Sequence, residues 1–212
     1  IDYGTGTFTV NSGTVTLAAD ATLTGNGTNE PVKINGGTFN IYGTINDVKT
    51  GGDGFGVRIE GATVNCFEGC SITSGDSAFK PYPNTTGVDC YLNIYGGTFT
   101  AKSPTSANTY GVIYCSKTAS KAYIKIAGGT FQALTAKGDA IFANCAAAIF
   151  QDAEGEAGLD DTCTATFNID PLAGSQCKVT AETLFKSGYK AEQSASDGLW
   201  RIVKEYTIAL DD

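Results

Sequence analysis

Gly36-Gly37-Thr38-Phe39 is the stretch that decides the fold, because close copies of it return along the chain. Each copy places Gly or another small residue before Thr, and Thr before Phe or Val. Glycine permits the positive φ of a sharp corner, and the residues after it are β-formers. The six threonines lie 24 to 36 residues apart, which indicates a repeated structural unit. The other copies are Gly13-Thr14-Val15, Gly61-Ala62-Thr63-Val64, Gly96-Gly97-Thr98-Phe99, Gly128-Gly129-Thr130-Phe131 and Ala165-Thr166-Phe167.

A second short β-prone run precedes most copies of this corner. In Val32-Lys33-Ile34 and Val57-Arg58-Ile59, apolar residues flank a cation, and Ile124-Lys125-Ile126 repeats the pattern. Such alternation sends apolar side chains to one face of a strand and charges to the other. Two strands plus turns per ~25 residues is typical of a β-solenoid, in which stacked coils bury one continuous column.

The sequence therefore predicts an all-β fold, a right-handed parallel β-helix of about six to seven coils over residues 1–187. Residues 188–212 are predicted to form a C-terminal cap, a strand or hairpin packed on the end of the solenoid. Asp197-Gly198 is a hairpin signal, and Trp200 is expected to cover the end of the column. An antiparallel β-sandwich is the alternative, but a sandwich does not need a recurring identical corner.

Two segments interrupt the repeat and are interpreted as long insertions, Ser74–Asp89 and Asn144–Thr162. The Ala-rich stretch Asn144–Gln151 is expected to form one helical turn in a loop. Thr180–Phe185 is the best helix candidate elsewhere, yet it aligns better as a strand of a coil.

Charge excludes one class of function. The chain has 212 residues, a net charge of −8 and only two arginines, so it has no basic stripe that could neutralise phosphates. We therefore expect no nucleic-acid binding. No run of 18 apolar residues is present, and we expect no membrane insertion.

Seven cysteines and no histidine disfavour a structural zinc site. The odd count prevents complete internal pairing. Buried thiols that act as small hydrophobes are the preferred interpretation, and one or two disulfides are left open.

Five acids in the second insertion are candidate calcium ligands, because carboxylate oxygens suit this ion. The segment contains no Lys or Arg, but its spacing does not match an EF-hand loop. A solvated loop is the favoured alternative, and no other cofactor is expected. The five candidates are Asp152, Glu154, Glu156, Asp160 and Asp161.

Four tyrosines are candidate glycan contacts, since outward aromatic rings can stack on sugars. They are Tyr82, Tyr95, Tyr110 and Tyr114. The alternative is that these residues are simple β-formers.

The Gly-Gly-Thr-Phe corners and alternating strands resemble parallel β-helix proteins of the pectin-lyase-like kind. The ending, from Gly188-Tyr189-Lys190-Ala191 to Trp200-Arg201-Ile202-Val203, resembles the closing module of repetitive proteins from gut bacteria and their phages. This resemblance implies the fold, but the fold hosts lyases, hydrolases, adhesins and viral fibres.

Residues of the family's enzymes are not matched here. Polygalacturonase-like hydrolases carry Gly-His-Gly and paired Asp residues, whereas this chain has no His, and its pair Asp160-Asp161 lies in an apparent loop. Pectate-lyase-like enzymes use an Arg base, but the alternation around Arg58 indicates a solvent-facing side chain.

We therefore expect a non-catalytic structural or adhesive protein located outside the cell, at a cell surface or in a virion. A phage decoration or fibre subunit and a bacterial surface domain both fit. Expected partners are other protein subunits, in a homo-oligomer such as a trimer or in a capsid or surface scaffold, together with glycans. The alternatives are a polysaccharide-active enzyme and a carbohydrate-binding module.

Overall fold

The computed structural model describes residues 7–25, 30–48, 54–102, 110–134 and 140–206. Residues 1–6 of the predicted solenoid and 207–212 of the predicted cap lie outside this part. In the described residues, the chain forms twenty strands in three sheets and one short helix. The protein is therefore all-β, as predicted.

The strands are numbered in chain order, and from β1 to β18 every third strand belongs to the same sheet. Sheet 1 contains β1 (Phe8–Val10), β4 (Val32–Ile34), β7 (Phe55–Ile59), β10 (Ser77–Pro81), β13 (Gly111–Tyr114) and β16 (Ala140–Ala143). Sheet 2 contains β2 (Thr14–Leu17), β5 (Thr38–Ile41), β8 (Thr63–Cys66), β11 (Cys90–Ile94), β14 (Ala122–Ile126) and β17 (Ala148–Gln151). Sheet 3 contains β3 (Thr22–Thr24), β6 (Thr44–Asn46), β9 (Ser71–Ser74), β12 (Thr98–Ala101), β15 (Thr130–Ala133), β18 (Thr166–Phe167), β19 (Tyr189–Gln193) and β20 (Trp200–Lys204).

Strands β1 to β18 pair in parallel with the strand three places along the chain. The chain thus passes from sheet 1 to sheet 2 to sheet 3, and then begins the next coil directly above. This order confirms the predicted parallel stacking and is consistent with a β-solenoid. The β-sandwich alternative is wrong, because neighbouring strands of its sheets would run in opposite directions.

Each coil contains three strands, and the prediction of two was wrong. The missed strands of sheet 3 in the first two coils are only three residues long, with one buried apolar residue between polar ones, as in Thr22-Leu23-Thr24 and Thr44-Ile45-Asn46. One apolar residue is too little for an alternating pattern to stand out from a turn.

The Gly-Gly-Thr-Phe corner does not mark one position in the coil. Thr38 and Thr63 begin strands of sheet 2, whereas Thr98 and Thr130 begin strands of sheet 3. Thr63 therefore pairs with Tyr91, and not with the next corner threonine. The motif forms a tight turn that leads into a strand. It occurs between sheets 1 and 2 in some coils and between sheets 2 and 3 in others.

The inner faces of the three sheets enclose one apolar core. In the later coils, the sheet 3 column is a stack of phenyl rings, with centroids 5.3 Å apart from Phe99 to Phe131 and 5.2 Å from Phe131 to Phe167. All three side chains are fully buried. Ring stacking in register fixes the alignment of successive coils.

Both predicted insertions contain strands of the solenoid. Ser74–Asp89 includes β10, so only residues 82–89 form the connection to sheet 2. The helical turn predicted over Asn144–Gln151 was wrong, because Ala148–Gln151 is β17 and pairs with β14. Its buried residues Ala148 and Phe150 alternate with partly exposed ones, which is strand periodicity.

The strand alignment of Thr180–Phe185 was also wrong for most of the segment. Ala181–Leu184 forms the short helix α1, in which the backbone N–H of Thr180 donates to the Thr183 hydroxyl at 3.3 Å. Only Phe185 keeps a strand contact, as a parallel bridge to Leu159.

The C-terminal end carries the hairpin β19–β20, which is antiparallel and joins β18 through the pair Phe167–Trp200. Trp200 is half-buried and packs against the core, and its role as the cover of the column stays a prediction. The described helix α1 is far too short to cross a membrane.

Candidate functional site

The acidic segment lies at the C-terminal end of the solenoid, directly after β17. Asp152 continues the inward column of sheet 2 at the position that Ile126 holds one coil earlier. Its side chain is 1% exposed, and its Oδ1 accepts the backbone N–H groups of residues 154–156 at 2.8 to 2.9 Å. The apolar column therefore ends on a carboxylate that is satisfied by the following turn.

Lys186 joins this carboxylate to a second one. Its Nζ contacts Oδ2 of Asp152 and lies 2.7 Å from Oδ2 of Asp160. The Oδ1 atom of Asp160 accepts the backbone N–H of Thr162 at 3.0 Å and the Thr162 hydroxyl at 2.5 Å. We call Asp152, Asp160 and Lys186 the end latch, because Lys186 lies in the segment that leads to the hairpin.

The charges of the end latch stabilise one another. Burial, the largest influence on Asp152 and Asp160, would raise the pKa of each carboxyl. The Lys186 ammonium and the N–H donors outweigh burial, so both pKa values lie below the ordinary Asp value. Hydrogen bonds to the two carboxylates in turn raise the pKa of Lys186. At neutral pH all three groups are therefore charged.

This geometry bears on the calcium prediction. The structure brings together two of the five candidate ligands, Asp152 and Asp160, and a lysine ammonium stands where they converge. Glu154, Glu156 and Asp161 are exposed to solvent. In the described part of the chain, no three His, Cys, Asp or Glu side chains are arranged to hold a metal ion. Calcium binding here stays a prediction.

The adjacent acids Asp160 and Asp161 do not form a carboxylate pair. Asp160 is buried against Lys186, whereas Asp161 is exposed and hydrogen-bonds Tyr189. General acid–base chemistry needs two groups that face a common substrate position. Instead, the two adjacent side chains contact different residues, Asp160 contacting Lys186 and Asp161 contacting Tyr189.

Three of the four predicted tyrosines meet on the outer side of sheet 1. Tyr110 and Tyr114 have centroids 4.5 Å apart, and each contacts the ring of Phe55. The Nζ of Lys80 lies 3.7 Å from the Phe55 centroid and 5.4 Å from that of Tyr82. Tyr110 is only 9% exposed, because its neighbours on this side of the sheet cover it.

Tyr95 lies elsewhere, in a ladder at the corner between sheets 2 and 3. Tyr42 stacks on Phe67 at 4.3 Å, and Phe67 stacks on Tyr95 at 5.4 Å. Lys125 covers the other face of Tyr95, with Nζ 5.7 Å from the centroid. The four candidate rings thus already have partners within the chain, and glycan contact by them stays a prediction.

Sequence reasoning missed an aromatic and amide surface on the outside of sheet 2. Tyr91 stacks on Tyr123 at 5.0 Å, beside an amide ladder in which Asn93 Nδ2 donates to Asn65 Oδ1 and Asn65 Nδ2 donates to Asn40 Oδ1. The signal was available in the alternation Tyr91-Leu92-Asn93-Ile94-Tyr95, which places Leu and Ile inward and the others outward.

The outer side of sheet 1 is charged in contrast. Lys33, Arg58 and Lys80 follow one another in register along the sheet. Glu60 pairs with both Lys33 and Arg58, and Glu30 lies 3.4 Å from Arg58. Arg58 is thus ion-paired and half-buried, which is less solvent-facing than predicted.

The cysteines take both of the roles left open. Cys115 and Cys145 form a disulfide between the loops that follow β13 and β16, with Cα atoms 4.9 Å apart. The other five are free thiols, of which four are buried: Cys66, Cys70, Cys90 and Cys163. Burial, the largest influence, raises the pKa of Cys90 and of Cys163 to about 12, as expected for thiols that pack as hydrophobes.

No family model, no curated protein and no solved structure matches this chain.

Proposed function

We propose that this chain is a non-catalytic structural or adhesive β-solenoid that works outside the cell, as a phage virion decoration or fibre subunit or as a bacterial cell-surface domain. In this role the ladder of coils is a spacer with defined outer faces. It presents those faces to partners and does not transform a substrate.

The end latch is the observation that carries the proposal. Asp152 and Asp160 are the predicted acids that come together, and they are engaged by Lys186 and by backbone N–H groups. Side chains held in this way stabilise the end of a rod, because both oxygens of each carboxylate are engaged within the chain and the Lys186 ammonium lies where the two carboxylates converge.

The geometry of the rod follows from general rules of β structure. We infer a right-handed winding, since parallel strands joined by a crossover are right-handed in ~98% of cases. With about six to seven coils and a rise of about 4.8 Å per coil, the rod is roughly 30 Å long.

An extracellular location is supported by the disulfide between Cys115 and Cys145. Disulfides persist in oxidising surroundings and are rare in the cytosol. We place the protein on virions or on the surface of bacterial cells, in a homo-oligomer such as a trimer or within a larger scaffold.

The test combines location with activity. Antibodies against the folded chain should label purified particles or intact cells, and native mass spectrometry should find an oligomer. Incubation with soluble polysaccharides should release no reducing ends. Release that disappears in both Asp160→Ala and Asp161→Ala variants would contradict the non-catalytic role and favour the enzyme alternative.

A further inference from the structure

The outer face of sheet 2 contains an aromatic ladder of two rings, Tyr91 and Tyr123. Tyr91 and Tyr123 stack with their rings 9° from parallel and their centroids 5.0 Å apart. In the preceding coil, the residue in register with Tyr91 is Thr63. One face of the Tyr91 ring is therefore covered by Tyr123, while the opposite face looks along the solenoid towards a small side chain.

A ring on the outer side of Thr63 would lie one stacking distance from the ring of Tyr91. Neighbouring strands of a sheet lie about 4.8 Å apart, and stacked rings have centroids about 4.5–7 Å apart. A flat group placed over Thr63 would continue the ladder as its missing rung. Tyr91 is 40% exposed, so its ring is accessible from solvent.

Polar and apolar walls flank this position, which we call the ladder step. On one side lies the amide ladder, where Asn65 donates to Asn40 and accepts from Asn93. An amide has two N–H donors and two acceptor lone pairs, so Asn65 retains one of each for a ligand. On the other side lies Val88, which is 38% exposed and packs over Gly61.

The ladder step carries no charge, although the chain has a net charge of −8. The outward residues of β8 and β11 here are Thr63, Asn65, Tyr91 and Asn93. The nearest acid in the sequence, Asp89, accepts hydrogen bonds from the Ser120 hydroxyl and the Lys121 backbone N–H of the following coil. A neutral ligand therefore meets no desolvation cost from a fixed charge at this place.

We propose that the ladder step binds one ring of a neutral glycan. The C–H face of the sugar packs on the free face of Tyr91, and its hydroxyl groups hydrogen-bond the amide of Asn65. This inference rests on the adhesive part of the proposed function and names the ligand that adhesion would use.

Isothermal titration calorimetry of the full chain tests the ladder step directly. The probes are four neutral hexasaccharides (cellohexaose, mannohexaose, xylohexaose and chitohexaose) and the acidic hexagalacturonate. We expect binding of at least one neutral probe. Tyr91→Ala should weaken it about tenfold or more, while Tyr91→Phe keeps the stacking face and should stay within about threefold.

Thr63→Leu separates the site from folding, since it leaves Tyr91 in place and fills the space beneath its ring. It should weaken binding about as much as Tyr91→Ala. Thr38→Leu is the matched control, because Thr38 precedes Thr63 in the same column but does not lie under Tyr91. It should change the affinity by less than about twofold.

Several outcomes would overturn the proposal. These are no binding of any neutral probe, binding unchanged in both Tyr91→Ala and Thr63→Leu, or a preference for hexagalacturonate. Mass spectrometry of the probe after titration separates this result from the proposed function. If the bound probe is cleaved, the non-catalytic role is contradicted, but glycan binding at the ladder step is not. If antibodies label virions or cells but no glycan binds, the ladder step is contradicted and the proposed function is not.

Discussion

The early and late coils build the same triangle of sheets with different corners. In β1 to β9, the tight glycine corner lies between sheets 1 and 2, at residues 11–13, 35–37 and 60–62. In the later coils it lies between sheets 2 and 3, at residues 95–97 and 127–129. The corner between sheets 1 and 2 has meanwhile lengthened to residues 82–89 and 115–121.

Each coil from β1 to β15 keeps one three-residue glycine corner, while its other connections vary in length. Where that corner is set by glycine, the other connections can lengthen, because long surface loops cost little free energy. In the late half, the disulfide between Cys115 and Cys145 joins the loops after β13 and β16, and it restrains these longer connections.

The two halves also differ in their core. The sheet 3 column contains Leu23, Ile45 and Ile72 in the early coils, and Phe99, Phe131 and Phe167 in the late ones. Larger side chains bury more apolar area, so the late half is expected to depend more on this column.

Phe131→Ala is expected to have the largest effect. It removes the middle ring of the phenyl stack and should lower the free energy of unfolding by about 3–5 kcal/mol. Urea titration measures the loss. Leu134→Ala is the control, since Leu134 is 53% exposed and should change stability by less than about 0.5 kcal/mol. If Ile45→Ala costs as much as Phe131→Ala, the proposed difference between the two cores is absent.

Removal of the disulfide should come next. The bond closes a separation of 30 residues, and a Cys115→Ser, Cys145→Ser double variant should lose about 2–4 kcal/mol. Guanidinium titration with and without reductant checks this value. Reductant should destabilise the native chain and leave the double variant unchanged. A further loss in the double variant would show that a second disulfide stabilises the fold.

The sequence shows the local features of this fold well. The glycine corners and the Val-Lys-Ile strands have signals contained within a few residues, and they led to the parallel stacking. The third strand of the early coils was missed, since Leu23 or Ile45 alone between polar residues has no periodicity. The sheet to which each corner belongs was also hidden, because loop lengths decide it.

The candidate site was less predictable, because it depends on which coils meet. Asp152 and Asp160 were identified as acids, yet their partner Lys186 lies 34 and 26 residues away. Only the order of the coils brings them together. Tyr91 and Thr63 are likewise neighbours only because β8 and β11 pair in this register, and no local sequence pattern predicts that register.

Glycine substitutions compare the two kinds of corner directly. A Cβ at Gly37 would lie 2.7 Å from the Ser12 carbonyl carbon and 2.8 Å from the Gly13 nitrogen, both backbone atoms. One at Gly129 would meet fewer close atoms, with the Phe99 ring at 3.0 Å and the Gly97 carbonyl oxygen at 3.3 Å. Both residues have positive φ, so Gly37→Ala should cost about 2–3 kcal/mol and Gly129→Ala about 1–2 kcal/mol.

Gly13→Ala is the control for the glycine pair, because Gly13 has positive φ but no atom within 4 Å of the added Cβ. It should cost roughly 1 kcal/mol from backbone strain alone. Thermal melts of the three variants give the ranking. A larger loss for Gly129→Ala than for Gly37→Ala would mean that the late corner is the tighter one.

Acid pH should produce the smallest effect on stability. It tests the end latch, at the C-terminal end of the solenoid, where neither glycine corner lies. The pKa values of Asp152 and Asp160 are lowered in the folded protein, so the unfolded chain binds more protons on acidification. The stabilisation is complete above the unfolded Asp pKa of about 4 and is lost as pH falls through the lowered folded values. Melting temperatures measured from neutral pH down to about pH 2 should therefore fall less steeply in an Asp152→Asn, Asp160→Asn variant.

Asp197→Asn is the matched control, since Asp197 pairs with Arg201 on the exposed hairpin, where solvent screens the pair. If the latch variant follows the native curve at every pH, the two carboxylates do not hold the end of the solenoid, and the hairpin alone must close it.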